Sequence, residues 1–317
     1  MRWLTRFADR THPLLLPGLW VFAAIGAYWL SFSLAPGDSC CWANRTSMWG
    51  SALTFSLISG YVLAAFVYLY RSHRDAVREL APLAKSVQAV NDALLDVPSK
   101  VALGATAFGI VFGLAQFAEV LLGDRYELVP LPDIPLIVGN TVLWTVVALL
   151  TVGRVHDALA MRRLGSELAV DLYNLEKLRP AGRAAVRDVL VIMGALALMP
   201  LQSLDAEFRW VNYQTGLIVG FISASLVFFL PLTGIRRAVR TAKAARIEEL
   251  QGVIDELPRS DLATLETLVA HRDRIGHLPT WPVDLSILSR VGFYLVIPPL
   301  AWVGAALVET VVQGYLD

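Results

Sequence analysis

The most informative segment for the fold is VNYQTGLIVGFISASLVFFLPLTGIRRAVRTAKAARIEEL, residues 211–250. Its first part, 211–235, contains no charged residue and exceeds the roughly 20 residues that a helix needs to cross the hydrocarbon core of a bilayer. Its second part is rich in arginine and begins an a/d spacing of four apolar residues, Ile247, Leu250, Ile254 and Leu257. We therefore expect a membrane-spanning helix that continues past the membrane and ends near Pro258.

The composition of the whole chain agrees with this stretch. Of 317 residues, 56% are apolar and 17% are charged, and the mean hydropathy is +0.56. A soluble globular chain has about 45–50% apolar and about 25% charged residues. These values exclude an ordinary cytosolic enzyme, a disordered chain, a disulfide scaffold and a collagen-like fibre. The predicted class is an all-α polytopic membrane protein.

Six further apolar stretches predict a total of seven spans, at 14–35, 49–70, 101–122, 134–152, 189–204, 211–235 and 291–312. The fifth is the weakest, because it is confined between Asp188 and Asp205 and contains Pro200 near its end. It can form a short span, or a helical hairpin with the sixth. We count it as a span, because otherwise Asp205, Glu207 and Arg209 would lie on the side where basic residues dominate.

Lysine and arginine are distributed unevenly among the loops. The N-terminal segment and the connections 71–100, 153–188 and 236–290 hold 24 of the 27 basic residues, and the opposite loops hold three. The positive-inside rule then predicts a cytoplasmic N-terminus, an outer C-terminus and a location in the cell (inner or plasma) membrane. The first apolar run is longer than that of a signal peptide, so we expect a retained helix.

The three long connections, predicted to be cytoplasmic, carry apolar residues at helical spacing. Residues 74–95 predict one amphipathic helix, and Leu168, Leu172, Leu175 and Leu178 predict another that Pro180 ends. Ser260 is a candidate N-cap for a helix that returns along the extension of the sixth span. These apolar faces favour a bundle in which the cytoplasmic helices pack against one another. The alternative is that they are amphipathic helices lying on the inner leaflet.

Polar residues inside the spans concentrate near their outer ends. They are Gln116, Glu119, Asn140, Gln202, Asn212, Gln214 and Glu309. Such residues are costly in hydrocarbon and tend to face the protein interior, whereas the inner halves of the same spans are almost purely apolar. The pattern predicts an outer vestibule that holds a ligand above an apolar constriction. The alternative is that these side chains reach the lipid headgroups separately.

Prolines and glycines suggest where helices bend or approach each other. Pro298 and Pro299 lie near the middle of the last predicted span, and Pro231 lies near the inner end of the sixth. They are candidates for a hinge or gate, and the alternative is a static kink. The pairs Gly109-x-x-x-Gly113 and Gly216-x-x-x-Gly220 allow close helix packing.

The sequence contains no recognisable catalytic motif. A phosphate-binding loop, a dinucleotide fingerprint, a zinc-protease helix and a nucleophile elbow are all missing. We expect no enzyme activity, no catalytic or metal-binding residue and no cofactor. The net charge of zero argues against a nucleic-acid partner.

The two cysteines of the chain, Cys40 and Cys41, are adjacent, and neighbouring cysteines cannot form an ordinary disulfide with each other without strain. Four interpretations stay open: they are simply two small loop residues, they are free thiols, they form a strained disulfide, or they form disulfides with another chain.

The second half of the chain resembles a pattern that recurs in uncharacterised prokaryotic polytopic membrane proteins. The matching residues are Asp171-Leu172-Tyr173-Asn174-Leu175, Arg272, Trp281-Pro282 followed by Asp284, and the stretch from Pro298-Pro299 to Glu309. This resemblance implies no activity. In topology alone, the chain is similar to the insect odorant and gustatory receptor channels, in which the seventh helix lines a tetrameric pore. That likeness assigns no residue roles.

Three functions are compatible with these features. The first is a homo-oligomeric ion channel or channel-like receptor with the last helix lining the pathway. The second is a transporter of a small solute bound by the outer polar residues. The third is a membrane scaffold or signalling protein that recruits a cytoplasmic protein partner through its inner helices. In each of them the lipid bilayer is the principal partner of the helices.

Overall fold

The computed structural model describes residues 14–34, 49–118, 133–204, 211–258 and 261–281, together with residues 289, 292 and 293. Every named element in these ranges is helical, which agrees with the predicted all-α class. Most of the last predicted span, 291–312, lies outside the described residues.

Eight α-helices occur in the described part of the chain. They are α1 (Leu15–Leu34), α2 (Trp49–Leu80), α3 (Val87–Ala93), α4 (Ser99–Ala115), α5 (Asp133–Ser166), α6 (Arg179–Leu196), α7 (Val211–Glu256) and α8 (Leu262–His277). Short 3-10 turns cover Ala81–Leu83, Leu175–Leu178 and Met199–Leu204. The helix α7 ends just before Pro258, which confirms the end predicted for the extension of the sixth span.

Four helical segments are long and apolar enough to cross a membrane. They are Gly50–Leu83, Ile134–Ser166, Leu175–Gln202 and Gln214–Glu256, and the shorter apolar helices are Leu15–Ser31 and Ser99–Ala115. The outward side chains of α1, α4 and α7 include many large apolar residues, as expected of surfaces in contact with lipid. The chain thus has the helices of a membrane protein, and the count of seven spans and their orientation remain predictions.

The helix α5 occupies the centre of the bundle. It packs against α2, α4 and α7, while α6 fills the space between α2 and α7, and α1 lies along α2. Glycines set the closest of these approaches. A Cβ atom at Gly109 or Gly113 of α4 would collide with the backbone of Thr145 or Thr141 on α5, so the close packing predicted for this glycine pair is confirmed.

One end of the bundle carries a hydrophobic core built from the long connections, which we call the basal core. Its buried residues are Ala76, Val77, Leu80, Ala93, Met161, Leu164, Leu168, Leu172, Leu178, Ala181, Ile235, Val239, Leu250 and Ile275. They come from the ends of α2, α5 and α7, from α3 and α8, from the start of α6 and from the segment before it. The apolar stripes of the connections therefore cover one another.

The predicted single helix over 74–95 is wrong. The helix α2 ends at Leu80, and Pro82 lies in the 3-10 turn that follows. Proline has no N–H to donate and cannot continue the helix. A new helix, α3, starts after Ser86, whose hydroxyl accepts a hydrogen bond from the backbone N–H of Ala89 at 3.2 Å.

The helix predicted over Leu168–Leu178 is also wrong. Residues 167–174 form a non-helical segment, in which Leu168 makes an isolated antiparallel bridge with Ala84. Only Leu175–Leu178 form a 3-10 turn, and Pro180 belongs to the first turn of α6. Proline fits a first turn, because its missing N–H would have no partner there. The predicted cap Ser260 lies outside the described residues, and Asp261 caps α8 instead.

Candidate functional site

A cavity of about 100 Å³ lies inside the bundle between α2, α5, α6 and α7, and we call it the central cavity. Small residues line this space on two of the helices, namely Ala195 on α6 and Gly216 and Gly220 on α7. The side chains of Met199 and Leu196 occupy the positions that Cβ atoms of the two glycines would take. The opposite wall consists of larger side chains from α2 and α5, among them Tyr61 and Trp144. The gap therefore lies between small residues on one side and large side chains on the other.

The walls of the central cavity are mostly apolar. Its polar groups are the hydroxyls of Tyr61, Thr151 and Ser223 and the indole of Trp144. Tyr61 stands over Gly194 of α6, where an added Cβ would overlap its phenol ring. Apolar walls with a few polar groups are typical of sites for small ligands. The cavity can hold a small apolar molecule and orient it through one or two hydrogen bonds.

A buried ion cluster lies one helical turn from the central cavity, towards the basal core. Arg154 lies one turn after Thr151 on α5, and only 6% of its side chain is exposed. Its guanidinium donates to a carboxylate oxygen of Asp157, to Oδ1 of Asp188 at 3.5 Å and to the backbone carbonyl of Leu69 at 3.3 Å. The side chains of Asp157 and Asp188 are each 15% exposed. One cation thus connects α2, α5 and α6.

Further polar contacts surround this ion cluster. Arg187 donates to the hydroxyl of Ser72 at 2.8 Å, and His156 Nδ1 lies 3.6 Å from a carboxylate oxygen of Asp157. His73 is buried, and its Nε2 contacts the carbonyl oxygen of Ala93 at 3.0 Å. Because a carbonyl oxygen only accepts, Nε2 is the nitrogen that donates. These contacts connect α2 to α3 and to α6.

In the sequence, Arg154 and Asp188 served only to predict the ends and the orientation of two spans. A signal for their pairing was present, because Arg154 closely follows one predicted span and Asp188 directly precedes another. Opposite charges at the same depth on two spans tend to pair when the helices are neighbours. The sequence did not say that α5 and α6 are close enough for this contact.

The structure does not bring the described members of the predicted vestibule together around the central cavity. Asn140 is buried, with 1% of its surface exposed, and its Nδ2 donates to the carbonyl of Gly113 on α4 at 2.9 Å. Gln116 and Gln214 are exposed, and Gln202 is half-buried. None of these four lines the central cavity. Glu119, Glu309 and the side chain of Asn212 lie outside the described residues.

The hinge candidates are only partly described. Pro231 is buried in the bundle, and α7 continues as one helix on both sides of it. Pro298, Pro299, Cys40 and Cys41 lie outside the described residues. The second predicted glycine pair, Gly216 and Gly220, packs against the side chains of Met199 and Leu196.

Within the described ranges, no group of three or more histidine, cysteine, aspartate or glutamate side chains could hold a metal ion. The candidate site considered in these ranges is the apolar central cavity, with the ion cluster one helical turn away. Comparisons with protein-family models, curated proteins and solved structures found no match to this chain.

Proposed function

We propose that this chain is a multi-pass membrane receptor of the channel-like kind, in which a small and largely apolar ligand occupies the central cavity. The cavity itself is the observation that supports the proposal, because it lies between the apolar parts of four packed helices. Pockets between the helices of a bundle are common ligand sites. In this proposal the chain is a homo-oligomer, and the last predicted span, 291–312, lines the conducting pathway.

The size and walls of the central cavity define the ligand class. A dry cavity of about 150 Å³ lined by leucine, isoleucine and phenylalanine binds benzene or xenon in another protein. The central cavity is somewhat smaller, at about 100 Å³, and it adds the hydroxyls of Tyr61, Thr151 and Ser223. A single small ring or a short branched alkyl group with one hydrogen-bonding group fits such a site.

The ion cluster provides a physical connection from the ligand to the basal core. Thr151 on α5 and Val191 on α6 both line the cavity. Arg154 lies one turn after Thr151, and Asp188 lies one turn before Val191, so the Arg154–Asp188 contact joins the two helices next to the cavity. A ligand that separates α5 from α6 would lengthen the Arg154–Asp188 contact, which is already 3.5 Å. The two helices then move relative to each other where they enter the basal core.

Ion flux from proteoliposomes tests the proposal with benzyl alcohol as the probe, at concentrations that leave protein-free liposomes intact. We expect the probe to increase potassium efflux from liposomes that contain the protein. Ala195→Phe fills the cavity and should abolish this increase, whereas Ala197→Phe, on the exposed side of the same helix end, should retain it. A milder filling variant, Val191→Met, should shift the response to higher probe concentration.

Two results would contradict the proposal. One is an absence of probe-dependent flux in the wild-type protein, and the other is an equal response from Ala195→Phe and Ala197→Phe. Saturable uptake of a small solute, blocked by Ala195→Phe and without ion flux, would instead identify a transporter.

The packed helices and connections around the basal core favour scaffolding as a second candidate function. Around the basal core, exposed apolar side chains are Tyr173 in the segment before α6, Val253 on α7 and Leu262 on α8, and the hydroxyl of Tyr173 contacts Nε2 of His271 on α8 at 2.7 Å. For this candidate we expect Leu262→Glu to remove a specific protein that cross-links to the full-length chain in native membranes. Val87→Glu, an exposed change on α3, serves as the control.

A further inference from the structure

A second and larger cavity, of about 260 Å³, lies between α1, α2 and α5, and we call it the peripheral cavity. Small residues on all three helices produce it. Ala24 and Ala27 on α1, Ala52 and Ser56 on α2 and Gly139 on α5 face one another across this space. Aromatic side chains of Trp20, Tyr28 and Phe55 complete the walls.

The peripheral cavity is suited to an apolar occupant. Protein interiors are close-packed, and voids much larger than a water molecule are few. Water needs two to four polar partners to occupy a cavity, and most of these walls are alkyl or aromatic carbon. The hydroxyls of Ser56 and Tyr28 are the main polar groups among the lining residues. Hydrocarbon therefore fills this space better than water does.

The peripheral cavity also reaches the surface of the bundle. Val138 lines it and is 51% exposed, and Ala23 and Ala27 are lining residues that are exposed as well. The neighbouring outward side chains of α1, such as Leu19 and Phe22, are large and apolar. A surface of this kind on an apolar helix faces lipid chains, so the cavity has an entrance from the hydrocarbon of a bilayer.

The position of the peripheral cavity along α2 and α5 indicates which leaflet of the bilayer it faces. The lining residues of α2 and α5 lie in the first turns of both helices, which begin at Trp49 and Asp133. The basal core lies at the other ends of the same helices. The cavity is therefore near the boundary of the leaflet opposite the basal core.

We propose that the peripheral cavity binds one acyl chain of a phospholipid from the leaflet opposite the basal core. The chain enters between α1 and α5, beside Val138, and covers the alanine-rich walls. Trp20 strengthens the α1 side of this site, because its Nε1 donates to the hydroxyl of Ser59 on α2 at 2.6 Å. This lipid site does not depend on the function proposed for the central cavity.

Native mass spectrometry of the protein released from phosphatidylcholine nanodiscs tests the proposal. We expect the wild-type chain to retain one phosphatidylcholine molecule after mild activation. Ala24→Leu fills the cavity and should lose that molecule. Gly26→Leu on the same helix is the matched control, because nothing lies within 4 Å of a Cβ atom there, and it should retain the lipid.

Thermal unfolding in detergent provides a second measurement that does not depend on the mass spectrum. Added phosphatidylcholine should raise the Tm of the wild-type protein and of Gly26→Leu but not that of Ala24→Leu. Should Ala24→Leu fail to fold, the smaller change Ala24→Val takes its place. The proposal is overturned if all variants retain lipid equally, or if the retained molecule is a free fatty acid or detergent.

Discussion

Arg154 illustrates how a charged residue is accommodated inside an apolar bundle. Moving a charge out of water is costly unless it is paired and fully hydrogen-bonded. The guanidinium meets this requirement with two carboxylates and the carbonyl of Leu69, contributed by three helices. Two carboxylates share one arginine, so Asp157 and Asp188 both depend on it.

The first prediction concerns this arginine. Arg154→Gln should lower the free energy of unfolding by about 3–5 kcal/mol, because it leaves two buried carboxylates without their cation. Thermal or denaturant unfolding in detergent measures the change. Arg163→Gln, an exposed change on the same helix, should cost less than about 0.5 kcal/mol. Equal effects of the two substitutions would contradict the role of Arg154.

The second prediction concerns Asn140. Asn140→Ala removes the hydrogen bond from Nδ2 to the Gly113 carbonyl and should lower the free energy of unfolding by about 0.6–1.7 kcal/mol, from the average to the largest value for interhelical hydrogen bonds in a membrane protein. Gln116→Ala, on the exposed end of α4, should leave stability nearly unchanged. If Asn140 served a ligand vestibule instead, its replacement would change ligand response and leave stability unaltered.

At the scale of elements, glycines decide which helices can be neighbours. The helix α5 has glycine contacts on two sides, because α4 brings Gly109 and Gly113 against it and α7 brings Gly234 against the backbone of Arg162. In lipid, helices associate through close packing and not through the hydrophobic effect. The missing Cβ atoms therefore have a direct effect on the arrangement of the bundle.

The third prediction tests the contact between α4 and α5. Gly109→Ala places a methyl group against the backbone of Thr145, so it should destabilise the protein by about 1–3 kcal/mol, the usual cost of overpacking. Gly104→Ala on the same helix has nothing within 4 Å of the new methyl group, so it should be neutral or slightly stabilising. Unfolding in mixed detergent micelles compares the two. Similar stability of both variants would refute the close approach.

The fourth prediction applies the same comparison to α5 and α7. Gly234→Ala should destabilise the protein by about 1–3 kcal/mol, because the carbonyl group of Arg162 occupies the position of the added carbon. Gly252→Ala, further along α7, meets open space and should be neutral or stabilising. A loss of stability in Gly252→Ala equal to that in Gly234→Ala would contradict the contact between Gly234 and the backbone of Arg162 as the cause, because alanine favours a helix more than glycine does.

At the scale of the whole molecule, the long helices connect the apolar bundle to the basal core without interruption. The helices α2, α5 and α7 each pass from an apolar part into the basal core as one continuous helix. Under the proposed receptor function, this continuity is the route by which a ligand in the central cavity would act on the part of the protein that is predicted to face the cytoplasm.

The fifth prediction concerns the orientation of the whole molecule. In intact cells treated with a mild reductant to free any paired thiol, a membrane-impermeant maleimide should label Cys40 and Cys41, which the distribution of basic residues places outside. In a variant lacking both cysteines, a new cysteine in Ser166→Cys, at the exposed basal end of α5, should react only after the cells are opened. Labelling of Ser166→Cys in intact cells would reverse the predicted topology.

The class of this protein and several of its helices are predictable from local sequence patterns. Uncharged runs such as 134–152 and 211–235 lie within α5 and α7, because a chain in hydrocarbon must satisfy its own backbone hydrogen bonds. The end of α7 before Pro258 was also predictable, since proline lacks the N–H that a helix interior needs. These are local properties, which neighbouring residues in the chain decide.

Which side chains contact each other depends on how the helices pack. The pairing of Arg154 with Asp188 and of Asn140 with Gly113 depends on which helices are neighbours and at what depth. Leu168 and Leu172 are buried without a helix, because bridge and turn hydrogen bonds satisfy enough of the backbone there. The central cavity arises from the sizes of residues that lie far apart in the chain, so no local pattern encodes it.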